Sequence, residues 1–166
     1  MSAGRDADRL SALAHETGAA AFPADATDFE AVDGVVHETV ERYGRLDGVV
    51  NCVGSLLLKP AHLTTYEEFS STVTTNLTSS FAAATYGSWG IRVNAISPGL
   101  TETPLTARIT GNEKAKASSE AMHALGRIGQ PGDVASAIEW ILSDRASWVT
   151  GQVVGVDGGL GRVRSA

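Results

Sequence analysis

Two short runs that read as buried strands, Leu46 to Val50 and Ile91 to Ile96, constrain the chain most, because each comes after a stretch of helical spacing. Val49-Val50 and the β-branched Ile91, Val93 and Ile96 suit strands that are largely covered by neighbours. Such strands occur in parallel sheets, whose connections cross a face as helices. The remaining segments fit the same plan. Leu10, Leu13 and Ala14 place a helix over Asp6 to Glu16 that Gly18 ends, and a short strand runs from Ala19 to Phe22. Thr27-Asp28-Phe29-Glu30 has the form of a capping box. The helix it opens carries Phe29, Val32, Val35, Val36, Val40 and Tyr43 as its inward stripe, and Gly44 closes it. Pro131 suits the first turn of a last helix that buries Val134, Ala137, Ile138, Ile141 and Leu142, and Gln152 to Val156 supplies a closing strand. The expected fold class is α/β, in three layers around a mostly parallel sheet, within a single domain over 1–166.

One stretch conflicts with that plan. Phe69, Val73, Leu77 and Phe81 recur every fourth residue, and the pattern runs on to Tyr86. A helix from Thr65 to Tyr86 would be about 33 Å long, against about 17–20 Å for the strands it joins. Eight of the eleven residues from Ser70 to Ser80 are serine or threonine, which compete for backbone hydrogen bonds, so this helix depends on packing. The segment from Leu105 to Ala124, polar and rich in alanine, is expected to form a mobile flap.

Composition narrows the function classes. The net charge is -6, and Lys59, Lys114 and Lys116 are too scattered to neutralise a line of phosphates, so nucleic acid is not an expected partner. Cys52 is the single cysteine, which excludes an internal disulfide and any Cys-x-x-Cys pair. No apolar run is long enough for a membrane helix, and the start of the chain turns polar at once, so a cytoplasmic location is expected. His15, His37, His62 and His123 lack metal-ligand spacing, and no metal site is expected.

Four segments taken in order resemble the short-chain dehydrogenase/reductase family of NAD(P)-dependent oxidoreductases, and the fold expectation becomes Rossmann-like. Asn51-Cys52-Val53-Gly54, directly after an apolar run, is similar to the family's Asn-Asn-Ala-Gly turn, with cysteine at the second position. The resemblance implies that Asn51, Val53 and Gly54 let the backbone approach the adenosine side of the cofactor. Asn76 resembles the helix asparagine that holds a water in the proton relay. Gly90-Ile91-Arg92-Val93-Asn94-Ala95-Ile96-Ser97-Pro98-Gly99 is the most specific match, and Pro98, Gly99, Thr101 and Thr103 fit its Pro-Gly-x-x-x-Thr turn, which implies contacts to the nicotinamide amide. Asp25, in Ala24-Asp25-Ala26-Thr27, matches the aspartate that accepts from the adenine amino group. Arg5 stands where an arginine indicates NADP(H) over NAD(H), because its guanidinium can pair with the 2′-phosphate. Gly151 to Gly159 resembles the last strand, which often lies in an oligomer interface, so a homo-oligomer or a full-length relative is an implied partner, with a small carbonyl or alcohol as substrate.

Two blocks of the family pattern are not found in the sequence. Only three residues precede Gly4, too few for the first strand and its glycine-rich turn. Near Ala82-Ala83 one helix pattern runs straight into another, where the family places a catalytic serine and a Tyr-x-x-x-Lys pair. Tyrosine ionises near ~10 unless a cation lowers it. Tyr43, Tyr66 and Tyr86 have Asp47, Ser70 and Gly90 four residues on. Removing these blocks leaves about four strands, near Phe22, Val49, Val93 and Val154, with two missing from the middle and apolar faces bared. Three readings follow. The chain is a shortened reductase with little or no activity alone and no firm hold on the cofactor, a modulator of a full-length relative, or an incomplete copy of an ordinary enzyme.

Overall fold

A computed structural model describes residues 1–78 and 91–163, with nothing resting on the Thr78 side chain. The chain forms two compact units, Met1–Tyr86 and Gly87–Ala166. In the first, β1 (Ser2–Gly4) and β2 (Ala21–Pro23) pair in parallel with Ala3 opposite Phe22, and α1 (Ala7–Thr17) is the crossover between them. The Asp6 side chain caps α1 by accepting from the Arg9 amide at 3.0 Å. Gly18 ends it at φ 71°, a left-handed turn that favours glycine. Leu10 is buried on the inner side of α1, while Leu13 stays 41% exposed.

α2 (Phe29–Tyr43) begins one residue later than the capping box at Thr27 would place it. The Thr27 hydroxyl is already engaged by Asp25, so Asp28 is the cap, its Oδ1 accepting from the Glu30 amide at 3.0 Å and the Ala31 amide at 3.4 Å. The reciprocal box occurs instead at α3 (Tyr66–Val73), where Thr65 Oγ1 accepts from the Glu68 amide and Glu68 accepts from the Thr65 amide. The inward stripe of α2 is covered only in its middle. Val32, Val35 and Val36 are half-buried, but Phe29, Val40 and Tyr43 are exposed.

The strand expected over Leu46 to Val50 is not formed. Strands exist only as hydrogen-bonded partners, and the backbone of these residues makes no hydrogen bond to another described residue. In the Rossmann strand order 3-2-1-4-5-6, β1 and β2 occupy the second and third places and this run the fourth. Its neighbours in that order are the first and fifth strands, and neither is formed beside it among the described residues. From residue 45 to 58 no regular structure is assigned, and Val49, Val50, Val53, Leu56 and Leu58 all face solvent.

The long helix also departs from expectation. α3 ends at Val73 and passes into a single π-type turn over Thr74–Thr78. Within the hydroxyl-rich run, the Thr72 side chain donates back to the Glu68 carbonyl, the competition with the helix ladder expected of threonine. Phe81, the Ala82-Ala83 junction, Tyr86 and Gly90 lie outside the described residues.

In the second unit, β3 (Ala95–Pro98) and β4 (Val153–Val156) pair in parallel, Ala95 opposite Val153 and Pro98 opposite Val156. Residues 91–94 carry no strand pairing, so β3 is shorter than the run Ile91 to Ile96 and ends later. The polar residues of that run staple it to the approach of β4. Arg92 donates to the carbonyls of Val149 and Ile141, and Asn94 donates to the Val149 carbonyl at 2.9 Å and accepts from the Gln152 amide at 3.1 Å. The expected flap is built as helix: after a 3-10 turn at Pro104–Thr106 come α4 (Ala107–Thr110) and α5 (Glu113–Met122), the latter capped by Asn112. α6 (Pro131–Leu142) follows, with Val134, Ala137, Ile138 and Ile141 half-buried and Leu142 exposed. Among the described residues the buried apolar side chains are Leu10, Ile128 and Ala146, so neither unit encloses a continuous core. No helix among them is long and apolar enough to cross a membrane.

Candidate functional site

The expected site residues fall into both units. At the end of β1 and β2, Arg5 lies beside Asp25, with 3.7 Å between guanidinium and carboxylate. Asp25 is held from the other side, where Oδ1 accepts from the Thr27 amide at 2.9 Å and the Thr27 hydroxyl at 2.8 Å. These two donors hold its carboxyl below the usual carboxylate range against the opposing effect of burial, and the Arg5 charge adds a lesser lowering. Arg5 keeps 77% of its side chain exposed and faces, with Thr27, an open cleft of about 430 Å³ whose other wall is α3 and its continuation, with Ser70, Ser71, Thr74 and Thr75. The cleft carries hydroxyls, one cation and the Glu67 carboxylate.

The Asn51-to-Gly54 turn and Asn76, twenty-two residues beyond Gly54 in sequence, meet in the same unit. Asn51 Oδ1 accepts from the Val53 amide at 3.0 Å, a local bond that shapes the turn. Asn76 Oδ1 accepts from the Ser55 amide at 3.0 Å, its Nδ2 donates to Ser55 Oγ at 3.0 Å, and it also donates to the Thr72 carbonyl at 2.9 Å. A Cβ on Gly54 would come within 3.1 Å of Asn76 Oδ1, so the absence of a side chain there permits the approach. The π-type turn that carries Asn76 is a feature helices often show where they serve a site. Asn76 therefore links the two motifs, with Ser55 as the contact that sequence reasoning did not single out.

In the second unit the Pro98-to-Thr103 turn is pinned on two sides. Gly99 donates to the Val156 carbonyl at 3.1 Å, the Gly129 amide donates to the Leu100 carbonyl at 2.8 Å, and the Glu102 amide donates to the Gly129 carbonyl at 2.9 Å. Thr101 Oγ1 donates back to the Gly99 carbonyl, and the Thr103 hydroxyl shares a hydrogen bond with Thr106 at 3.1 Å. Glu102 is held by Gln130 at 2.9 Å and Lys116 at 3.6 Å, and these partners, Gln130 first, lower its carboxyl. Behind the turn, Arg127 forks onto Asp133 at 2.7 and 2.9 Å. This fork, and next the Gln130 amide, push the Asp133 carboxyl down to about 2. Gly129, Gln130 and the Arg127–Asp133 pair were missed in the sequence, although Gly126-to-Asp133 reads there as a turn into a helix. Among the described residues no three histidine, cysteine or acidic side chains gather as a metal site.

Both units follow a parallel strand-helix-strand plan, which is that of a Rossmann-type α/β protein reduced in strand number. The family model described as Enoyl-(Acyl carrier protein) reductase matches residues 1–86 and 80–161 in two pieces. The chain belongs to the short-chain dehydrogenase/reductase family. It is 30% identical, over 192 residues, to 3beta-hydroxysteroid dehydrogenase 1 of Eggerthella lenta, covering 86% of this chain and 74% of that one. That alignment is longer than the chain itself, so part of the relative has no counterpart here. Other curated relatives are matched over only 28% or 32% of their own length. Among solved structures, a short-chain type dehydrogenase/reductase from Mycobacterium ulcerans is similar with a TM-score of 0.88 at 27% identity, over 98% of this chain and 80% of that one. The fold is shared at 21% identity with ElxO, a structure with NADP bound, at a TM-score of 0.84 over 97% of this chain and 88% of that one.

Proposed function

We propose that this chain is a single shortened Rossmann-like domain that keeps cofactor-facing surfaces of an NAD(P)-dependent carbonyl or alcohol oxidoreductase and lacks the proton-transfer group, so that alone it turns over little or no substrate. One observation carries the reading: none of Tyr43, Tyr66 and Tyr86 has a lysine four residues on. A phenol that ionises near ~10 is a poor acid-base group at neutral pH without a cation beside it. The alignment that outruns the chain supports an internal loss.

The residues of the first unit fit the adenosine half of a dinucleotide. Arg5 is exposed enough to take a 2′-phosphate in place of Asp25, Asp25 is an oriented acceptor for an exocyclic amine, and the Asn51-to-Gly54 turn, steadied by Asn76, offers a close backbone approach. In the second unit, Pro98, Gly99, Thr101 and Thr103 would face the nicotinamide carboxamide. The bound cofactor would supply the hydride; the chain's residues bind and orient. In this reading NADP(H) is preferred over NAD(H). Calorimetric titration of the purified chain with NADPH and NADH, followed by absorbance at the nicotinamide band with a ketone present, tests it. Weak binding that favours NADPH, with no consumption, is the expected result, and sustained ketone-dependent oxidation of NADPH would overturn the inactivity.

The exposed apolar run from Val49 to Leu58 favours a second reading, in which the chain associates with a full-length relative and alters its assembly. Sedimentation of the chain with a full-length short-chain reductase separates the two, since the second reading requires a mixed species.

A further inference from the structure

His123 is the one described side chain with a buried polar atom that has no partner: the residue is 2% exposed and Nε2 makes no hydrogen bond. Such groups are rare enough in folded proteins to require a reason. The other ring nitrogen, Nδ1, lies 2.7 Å from the Ser119 carbonyl at the end of α5. A carbonyl only accepts, so Nδ1 carries the proton and Nε2 presents its lone pair. Nε2 is buried beside the Gly99 backbone and meets no donor. A Cβ built on Gly99 would lie 2.8 Å from Nε2 and 3.0 Å from the Cα of Asp157, and a Cβ built on Gly158 would lie 3.5 Å from Cδ2, the ring carbon next to Nε2. Immediately after the ring, the Leu125 amide donates to the Gly158 carbonyl at 3.0 Å. The imidazole thus stands between three segments: the C-terminus of α5, the turn that leaves β3, and the turn that leaves β4.

We propose that His123, as its Nδ1–H tautomer anchored on Ser119, is the positioning residue that sets the Pro98-to-Thr103 turn against the end of β4. The anchor fixes the ring on α5. The ring edge then limits how far Gly99 can move toward Asp157, and Gly99 must lack a side chain because the wall is already in contact. The orphaned acceptor is the consequence of using a flat ring to fill a slot bounded by a glycine Cα. Pro98 and Gly99 therefore owe their place to a residue twenty-four positions beyond Gly99, in a segment that otherwise looks like a variable flap. What the turn presents to a nicotinamide rests on the reading above; where the turn sits does not, and the test measures position alone.

Two measurements on the full chain decide this. In the wild type, long-range nitrogen-proton correlation of His123 should show Nδ1 protonated and slow to exchange, with Nε2 bare. A proton on Nε2 overturns the proposal. In His123→Asn, the amide nitrogen of the new side chain replaces Nδ1 as donor to Ser119, but nothing reaches Gly99. Amide exchange at Gly99 and Leu125 should quicken by about tenfold or more while the α5 amides up to His123 keep their protection. Unchanged exchange at Gly99, or an equal loss over the whole second unit, refutes a positioning role. Should His123→Asn not fold, the tautomer of the wild type still decides. Neither readout involves a dinucleotide, so failure to bind NADPH would count against the proposed function and leave this inference standing.

Discussion

At the residue scale, Asn76 and Asp133 carry the clearest expectations. Two hydrogen bonds from Asn76 to Ser55 hold the loop after Gly54 to the end of α3, a third goes to the Thr72 carbonyl, and Asn76→Ala removes all three while leaving the Ser55 amide free to meet water. Exposed hydrogen bonds of this kind contribute about 0.5–1.5 kcal/mol each at most, and they share one side chain, so a total loss of about 1–2 kcal/mol is expected in urea unfolding. Asp133 gives a pH signature. Its carboxyl is lowered on folding from the ordinary carboxylate value to about 2, so it contributes stability that is complete above about pH 4. That contribution is lost as pH falls toward 2. Asp25, Glu68 and Glu102 are lowered too and share this acid limb, so the measurement is a difference. The gap in stability between wild type and Asp133→Asn should be constant above about pH 5 and close as pH drops to 2. A gap that stays the same from about pH 5 down to about pH 2 would mean that the Arg127 fork does not matter to folding.

At the element scale, the parts legible in the sequence were those whose causes are local. α1 and α2 end at Gly18 and Gly44 because a left-handed residue closes a helix wherever it occurs, and α6 begins at Pro131 for an equally local reason. The cap of α2 was misplaced by one residue because two adjacent side chains, Thr27 and Asp28, both qualify, and the choice is made by Asp25. Asp28→Ala should therefore cost about 1 kcal/mol in thermal unfolding, whereas Thr27→Ala should leave the helix start intact and loosen only the Asp25 carboxylate. Leu46 to Val50 was misread for the opposite reason. It reads locally as a central strand, but strand formation is decided by pairing neighbours, and none is formed beside it among the described residues. Of the site, the motif residues were legible by spacing, whereas Ser55, Gly129 and His123 acquire meaning only when distant segments close on them. The π-type turn at Asn76 had no sequence signal beyond the serine and threonine run.

At the scale of the whole molecule, the balance between buried and exposed apolar groups sets the behaviour in solution. Among the described residues the buried apolar side chains are Leu10, Ile128 and Ala146, of which one is an alanine, while Val49 is 58% exposed, Phe69 58%, Val153 72% and Trp148 98%. Burial of a valine, leucine or phenylalanine side chain contributes roughly 1.5–3 kcal/mol, and the entropy of ordering the chain must be met by many of them together. Three cannot meet it for 166 residues. The chain alone should accordingly behave as a loosely packed species that binds a hydrophobic dye such as ANS and unfolds over a broad range of denaturant. Association offers the remaining apolar surface a place to go, so the same chain should sediment as larger species as its concentration rises. Substituting Val49→Lys and Leu57→Lys together places charge in the one run that has neither strand partner nor helix to cover it. If that run drives association, the double variant stays small at concentrations where the wild type has assembled, and its dye binding falls with it. If the variant assembles as before, the run from Val49 to Leu58 does not drive association, and the exposed surface of the second unit around Trp148 and Val153 becomes the one to test.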